Sequence, residues 1–198
     1  LTTSSAASDV YKRQEKYINH PFPLITMDVL DENSIKTAIK QVIIKYNTID
    51  VVINNAGMGM FSPLESLTSG PLDMVMNTNF KGPILVIQHV LSYMHKQNSG
   101  LIINIASIAG NNGLPFRSIY SASKSALMRV SESLRLELRH TPIQCTVVSP
   151  GSVKTSISSN RYYAGVSKDS IYYKQYELGR LDMDNHVNKG LLPIVCLL

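Results

Sequence analysis

The chain has 198 residues, enough for one domain with a sizeable core, and its 44% hydrophobic and 17% charged residues are ordinary for a globular protein. No run approaches the eighteen or so apolar residues of a membrane span, which argues against a membrane partner. The net charge of +5 comes from scattered Lys and Arg without interleaved aromatics, which argues against a nucleic-acid partner.

Residues 1–14 show neither an apolar period nor turn residues, and they are expected to be a leader foreign to the fold. From Leu24 the run Leu-Ile-Thr-Met-Asp-Val predicts a strand ending at Val29. Asp31 then offers an N-cap for a helix carrying Ile35, Ile39, Val42, Ile43 and Tyr46 at helical spacing. A second strand, Ile49 to Ile53, runs into the turn Asn54-Asn55-Ala56-Gly57. Gly59 follows, but Ser62 stands where a dinucleotide fingerprint would need a third glycine, so this segment reads as a flexible loop.

A long helix is expected from about Leu72 to Lys96, with a break near Gly82-Pro83. The strand Leu101 to Ala106 ends at Ser107. A loop over Gly110 to Pro115 leads to a helix carrying Tyr120 and Lys124, and a strand over Ile143 to Val148 leads to Pro150-Gly151. Strands alternating with helices predict an α/β fold with a parallel sheet covered on both faces. Cys145 and Cys196 suggest no disulfide framework and fit a reducing cytosol, so the expected location is cytoplasmic. The five histidines show no metal-ligand spacing, and no metal site is expected.

Ser107, Tyr120 and Lys124 carry the chemistry. Tyr120 and Lys124 are four residues apart, so a helix puts them on one face. An ammonium beside a phenol favours the phenolate, bringing it nearer neutral pH than the usual value of about 10. A hydroxyl opposite can hold a substrate oxygen. This is machinery for moving a proton onto or off a carbonyl or alcohol oxygen. A Tyr-x-x-x-Lys pair by itself could equally be an ordinary helix face. Its setting decides: Asn54-Asn55-Ala56-Gly57 after a strand, Asn79 followed by Gly82 at a helix start, and Pro150-Gly151 with Val153 and Thr155 after another.

With these motifs, in this order, the chain resembles a classical short-chain dehydrogenase/reductase. The similarity is specific from about Leu24 to Thr155 and looser to about Gly190. The thirteen-residue step from Ser107 to Tyr120 matches the family's spacing. The resemblance implies a doubly wound, Rossmann-like domain. It also implies an oxidoreductase moving hydride between NAD or NADP and a carbonyl or secondary alcohol substrate. Tyr120 would be the acid/base. Lys124 would lower its pKa and bond the nicotinamide ribose, and Ser107 would hold the substrate oxygen. Asn79 would seat a proton-relay water, or else cap a helix start. Asp28 and Val29 would contact the adenine, although Asp28 could instead satisfy a turn. Asn54, Ala56 and Gly57 would brace the strand end beside the cofactor, and Pro150, Gly151, Val153 and Thr155 would meet its nicotinamide end. The tyrosine-rich region of 155–190 resembles the family's substrate lid, or a surface helix packing its tyrosines on the body. An intact member is expected to form a homodimer or homotetramer through the helices of Gly82 and Tyr120.

The family's glycine-rich phosphate turn is missing, since only 27 residues precede Asp28 and none is glycine. Residues 15–198 therefore read as a partial domain, truncated at the N-terminus and damaged after Pro193. Such a chain is expected to bind its cofactor poorly and fold marginally. Two rival readings are a non-catalytic binding module on the same fold and an extended-type sugar-nucleotide epimerase or dehydratase. The Asn-Asn-Ala-Gly turn and the short chain after Tyr120 speak against the latter.

Overall fold

The computed structural model describes residues 23–153, 157 and 161–189. The leader expected over 1–14, Thr155, Cys196 and the run from Pro193 lie outside the described residues.

Helix α1, Glu32–Tyr46, starts where the sequence places it. Asp31 is its N-cap, with the side chain accepting from Asn33 N at 2.9 Å. It buries Ile35, Ala38 and Ile39, half-buries Val42 and Ile43, and leaves Tyr46 exposed. Strand β1, Val51–Asn54, follows, then the short β2, Met60–Phe61. Helix α2, Ser69–Met76, passes through a π turn over Asn77–Lys81 into α3, Gly82–Gln97. The expected break is thus a π turn just before Gly82. Pro83 has no N–H to close on the carbonyl of Asn79, which disfavours the ordinary α ladder there.

Strand β3, Gly100–Ile105, leads through a one-turn 3-10 helix, Ile108–Gly110, to α4, Ser118–Glu137. Then come β4, Ile143–Val148, β5, Tyr162–Tyr163, and α5, Tyr173–Asn188.

The main sheet is parallel, in the order β1-β3-β4, with Val52 beside Ile102 and Ile102 beside Cys145. Alternate residues dictate its faces. Val52, Asn54, Ile102, Asn104, Ile143 and Cys145 are buried. The apolar members of that row share a core with Ile35 and Ile39 of α1, Val86, Val90 and Met94 of α3, and Leu134 of α4. Residues of the other parity are half-buried or exposed, Val51 at 37% and Val148 at 45%. Helices were expected on both faces; among the described residues, this core forms on one.

Two further expectations change. The predicted strand Leu24 to Val29 joins no sheet among the described residues, and Val29 already lies in a turn. Met27 and Val29 nonetheless bury, and Val29 packs so closely on α3 that a Cβ at Gly82 would sit 2.9 Å from its carbonyl oxygen. The segment beyond Gly59 is no flexible loop: β2 pairs in parallel with β5, a hundred residues on.

Candidate functional site

The three parallel strands of the main sheet end together, and the loops leaving them make the site, as parallel α/β sheets dictate. Ala106 N donates to Val148 O at 2.8 Å and Ile108 N to Pro150 O at 3.1 Å, tying the ends of β3 and β4 side by side. Ser107 sits at that junction as N-cap of the 3-10 turn, its Oγ accepting from Ala109 N at 3.2 Å. Across from it, α4 brings Tyr120 to the same cavity as the Ser107 side chain. Both line a cavity of about 130 Å³, together with Gly151 and Val153.

Lys124 lies one turn further along α4. It is only 3% exposed, and its Nζ donates to Ile105 O at 2.9 Å. Burial pulls its pKa down to about 8. Its other two N–H bonds have no partner among the described residues. Beside it, a Cβ at Gly57 would lie 3.4 Å from Lys124 Nζ and 3.3 Å from Asn79 Oδ1. Glycine there keeps the approach to the ammonium open.

Tyr120 does not show the lowered pKa expected from a neighbouring ammonium. Burial pushes its pKa up, opposed by the nearby Ser107 hydroxyl and by the guanidinium groups of Arg117 and Arg161. Desolvation outweighs the cations, and the phenol keeps its proton.

Asn79 occupies the π turn, fully buried. Its Oδ1 accepts from Met58 N at 2.8 Å, while its Nδ2 donates to Met58 O and to Ser123 Oγ, each at 3.0 Å. Ser123 Oγ in turn donates to Tyr120 O at 2.7 Å. Asn79 therefore joins the loop after β1 to the helix of Tyr120. Asn54 acts as a brace: its Nδ2 donates to Asn104 Oδ1 at 2.8 Å, and Asn104 Nδ2 donates to Ser131 Oγ at 2.8 Å. Ala56 is buried beside it.

Asp28 and Val29 are not among the residues that line this cavity. Asp28 Oδ1 accepts from Leu30 N at 2.9 Å, the turn-satisfying alternative, and the Val29 side chain belongs to the core. The tyrosines after Gly165 divide similarly. Tyr176 is buried against Phe61 and Phe116 and donates to Ala164 O at 2.8 Å. Arg161 and Met183, however, reach the cavity from that same region.

Sequence reasoning missed Arg117 and Arg161, both on the cavity wall. Arg117 was findable, being three residues before Tyr120 and on its helical face. The preceding Phe116 has φ 60, an uncommon left-handed state for an aromatic residue. Ser62 N donating to Phe116 O at 2.7 Å, and the Phe61 ring 5.3 Å away, hold it there. Arg161 carries no local signal. It arrives with β5, packs over Gly59, and donates from Nη1 to Tyr163 Oη at 2.8 Å. Among the described residues, no cluster of His, Cys, Asp and Glu could hold a metal ion, and no helix is long and apolar enough to cross a membrane.

Comparison with known proteins places these features among relatives. A family model described as short chain dehydrogenase matches residues 2–164. A 3-ketodihydrosphingosine reductase of Bacteroides thetaiotaomicron is 42% identical over 138 residues, covering 70% of this chain and 51% of its own length. The chain thus spans about half of that relative. A short-chain dehydrogenase from Streptomyces avermitilis superposes with a TM-score of 0.78 at 24% identity, over 96% of this chain and 68% of that one. ElxO with NADP bound superposes at 0.71 with 27% identity, over 78% of this chain and 65% of that one.

Proposed function

The chain belongs to the short chain dehydrogenase family, and from that premise we propose an oxidoreductase acting between NAD or NADP and a small carbonyl or secondary alcohol substrate. The observation that carries this reading is that Tyr120 and Ser107 line one cavity, with buried Lys124 one turn along the helix of Tyr120.

The nicotinamide, when bound, supplies or accepts the hydride. The chain's residues handle oxygen and proton. Ser107 Oγ holds the substrate oxygen, and Tyr120 Oη donates its proton as charge builds there, or takes it back in oxidation. Lys124 fits a ribose: it is buried, has two N–H bonds without a partner among the described residues, and faces the space that Gly57 leaves open. The Asn79 carbonyl, denied its α-helical donor by Pro83, suits the seat of a relay water. Gly151, Val153 and Thr155 would border the nicotinamide, with Asp28 and Val29 offering backbone to the adenine. We also propose a cytoplasmic protein that pairs through α3 and α4 as a homodimer or homotetramer.

The test is oxidation of NADH or NADPH with a panel of small ketones, comparing the chain with Tyr120→Phe. Loss of turnover with cofactor affinity kept supports the reading; near-normal turnover in the variant defeats it.

A further inference from the structure

The turn that launches α4 is built on a residue ill suited to it. Arg117 N donates to Leu114 O at 3.1 Å, so Pro115 and Phe116 are the central pair of a tight turn. Proline in the first central place and a positive φ in the second, 60 at Phe116, make the pattern of a type II turn. The second place favours glycine, and a side chain there is strained.

Packing holds Phe116 in that state. Ser62 N donates to its carbonyl at 2.7 Å. Its ring lies 5.3 Å from that of Phe61 and meets Tyr176 of α5 edge-on at 5.7 Å. Gly179 brings α5 close: a Cβ there would stand 3.2 Å from the Phe61 ring and 3.7 Å from the Phe116 ring.

The two ends of the turn, Leu114 and Arg117, line the cavity of Ser107, and Phe116 is not among its lining residues. Arg117 gives α4 no side-chain cap, so the preceding turn sets how the helix begins. Ser121 N then donates to Arg117 O at 2.8 Å, closing the first helical turn around Tyr120. Glycine would hold the same turn relaxed. What glycine lacks is the ring, and the ring fastens the head of α4 to β2 and α5.

We propose that Phe116 is a positioning residue for the reaction: its ring, packed on Phe61 and Tyr176, fixes the head of α4 and through it the place of the Tyr120 hydroxyl in the cavity. This rests on the functional reading above and adds a residue to it. The burial that raises the pKa of Tyr120, against the Ser107 hydroxyl, Arg117 and Arg161, reports that placement.

Three variants separate the parts. Phe116→Gly keeps the turn and deletes the ring, Tyr176→Leu leaves the turn and loosens the seat of the ring, and Phe116→Tyr keeps both. Turnover with small ketones is measured beside NMR titration of the chain isotope-labelled at tyrosine Cζ, with Tyr120→Phe identifying the Tyr120 signal. The titration needs no turnover. Phe116→Gly should lower kcat by about ten- to hundredfold with NAD(P) affinity kept, the cost of a misplaced catalytic group. It should also bring the Tyr120 midpoint down, because desolvation is the largest influence on it. Tyr176→Leu should do both in smaller measure, and Phe116→Tyr should match the unaltered chain. An unmoved Tyr120 midpoint overturns the proposal, even where thermal stability falls, because the role would then be structural alone. So does a kcat that stays near that of the unaltered chain. If Phe116→Gly does not fold, Tyr176→Leu decides by the same two readings. If the midpoint moves as expected and the unaltered chain reduces no ketone, the placement of Tyr120 by Phe116 stands and the oxidoreductase reading fails.

Discussion

Asn79 pairs with Met58 as a neighbouring strand would, accepting from its N–H at 2.8 Å and donating to its carbonyl at 3.0 Å. One side chain thereby fastens the loop after β1 to the π turn, and through Ser123 to the helix of Tyr120. The geometry assigns Asn79 a structural duty that coexists with any duty to a relay water, because the first uses the side chain and the second the backbone carbonyl.

Replacing Asn79 with Ala leaves the Met58 N–H and carbonyl without these partners in a partly buried site. Stability should fall by about 2–3 kcal/mol, the cost of stranded buried polar groups. Urea unfolding measures it. A loss under about 0.5 kcal/mol would show that the loop rebonds elsewhere.

Lys124 makes stability depend on pH. Its folded pKa, about 8, lies below its unfolded value, so the unfolded chain binds more protons between the two. This contribution to stability is fully present above the unfolded pKa and is lost as pH falls through about 8. Stability should therefore rise from pH 8 toward 10 relative to Lys124→Met, by on the order of 2–3 kcal/mol. Tyr120 and Cys145, whose folded pKa values are raised, act oppositely at the alkaline end, and comparison with the variant cancels them. Parallel curves for the two proteins would contradict the buried, displaced ammonium.

At Gly57 the expected loss is in binding. An alanine methyl would stand 3.4 Å from Lys124 Nζ and 3.3 Å from Asn79 Oδ1, tight yet tolerable. Gly57→Ala should leave thermal stability within about 1 kcal/mol. NAD(P) affinity should drop by roughly tenfold, one spoiled contact of about 1.4 kcal/mol. Calorimetric titration reads this, and unchanged affinity would remove Gly57 from the cofactor approach.

Gly82→Ala probes packing away from the cavity. A Cβ there would be 2.9 Å from Val29 O and 3.0 Å from Val29 Cβ, so α3 must move off the Val29 segment. The overpacking penalty of about 1–3 kcal/mol exceeds the roughly 0.5–1 kcal/mol that alanine gains over glycine within a helix. Net destabilisation by chemical denaturation is expected, with the Tyr120 pH titration unchanged. A stabilised variant would mean that the close approach is relaxed in solution.

Strands and helices with strong local grammar were legible from the residues alone. Asp31 capped its helix, and the strand-like runs around Ile102 and Cys145 became paired, buried strands. Ser107 and Tyr120 meet because a strand end and a helix start at fixed spacing must converge in a parallel α/β sheet. Leu24 to Val29 misled because the alternation that buries Met27 and Val29 also fits a strand, while strand status needs a hydrogen-bonded neighbour that no local pattern reveals. The protonated state of Tyr120 was illegible for a related reason: adjacency to Lys124 is written in spacing, but desolvation comes from everything packed around the pair. Arg161 depends on a pairing a hundred residues apart.

That pairing also orders events in time. Met60 and Phe61 meet Tyr162 and Tyr163 only after the whole intervening sheet and its helices have closed a loop of that length, and long loops close late. The cavity wall that Met60 and Arg161 supply thus hangs on a closure of long sequence separation, which is expected to follow the sheet, so a chain can carry a sound sheet and still lack a chamber in which to work.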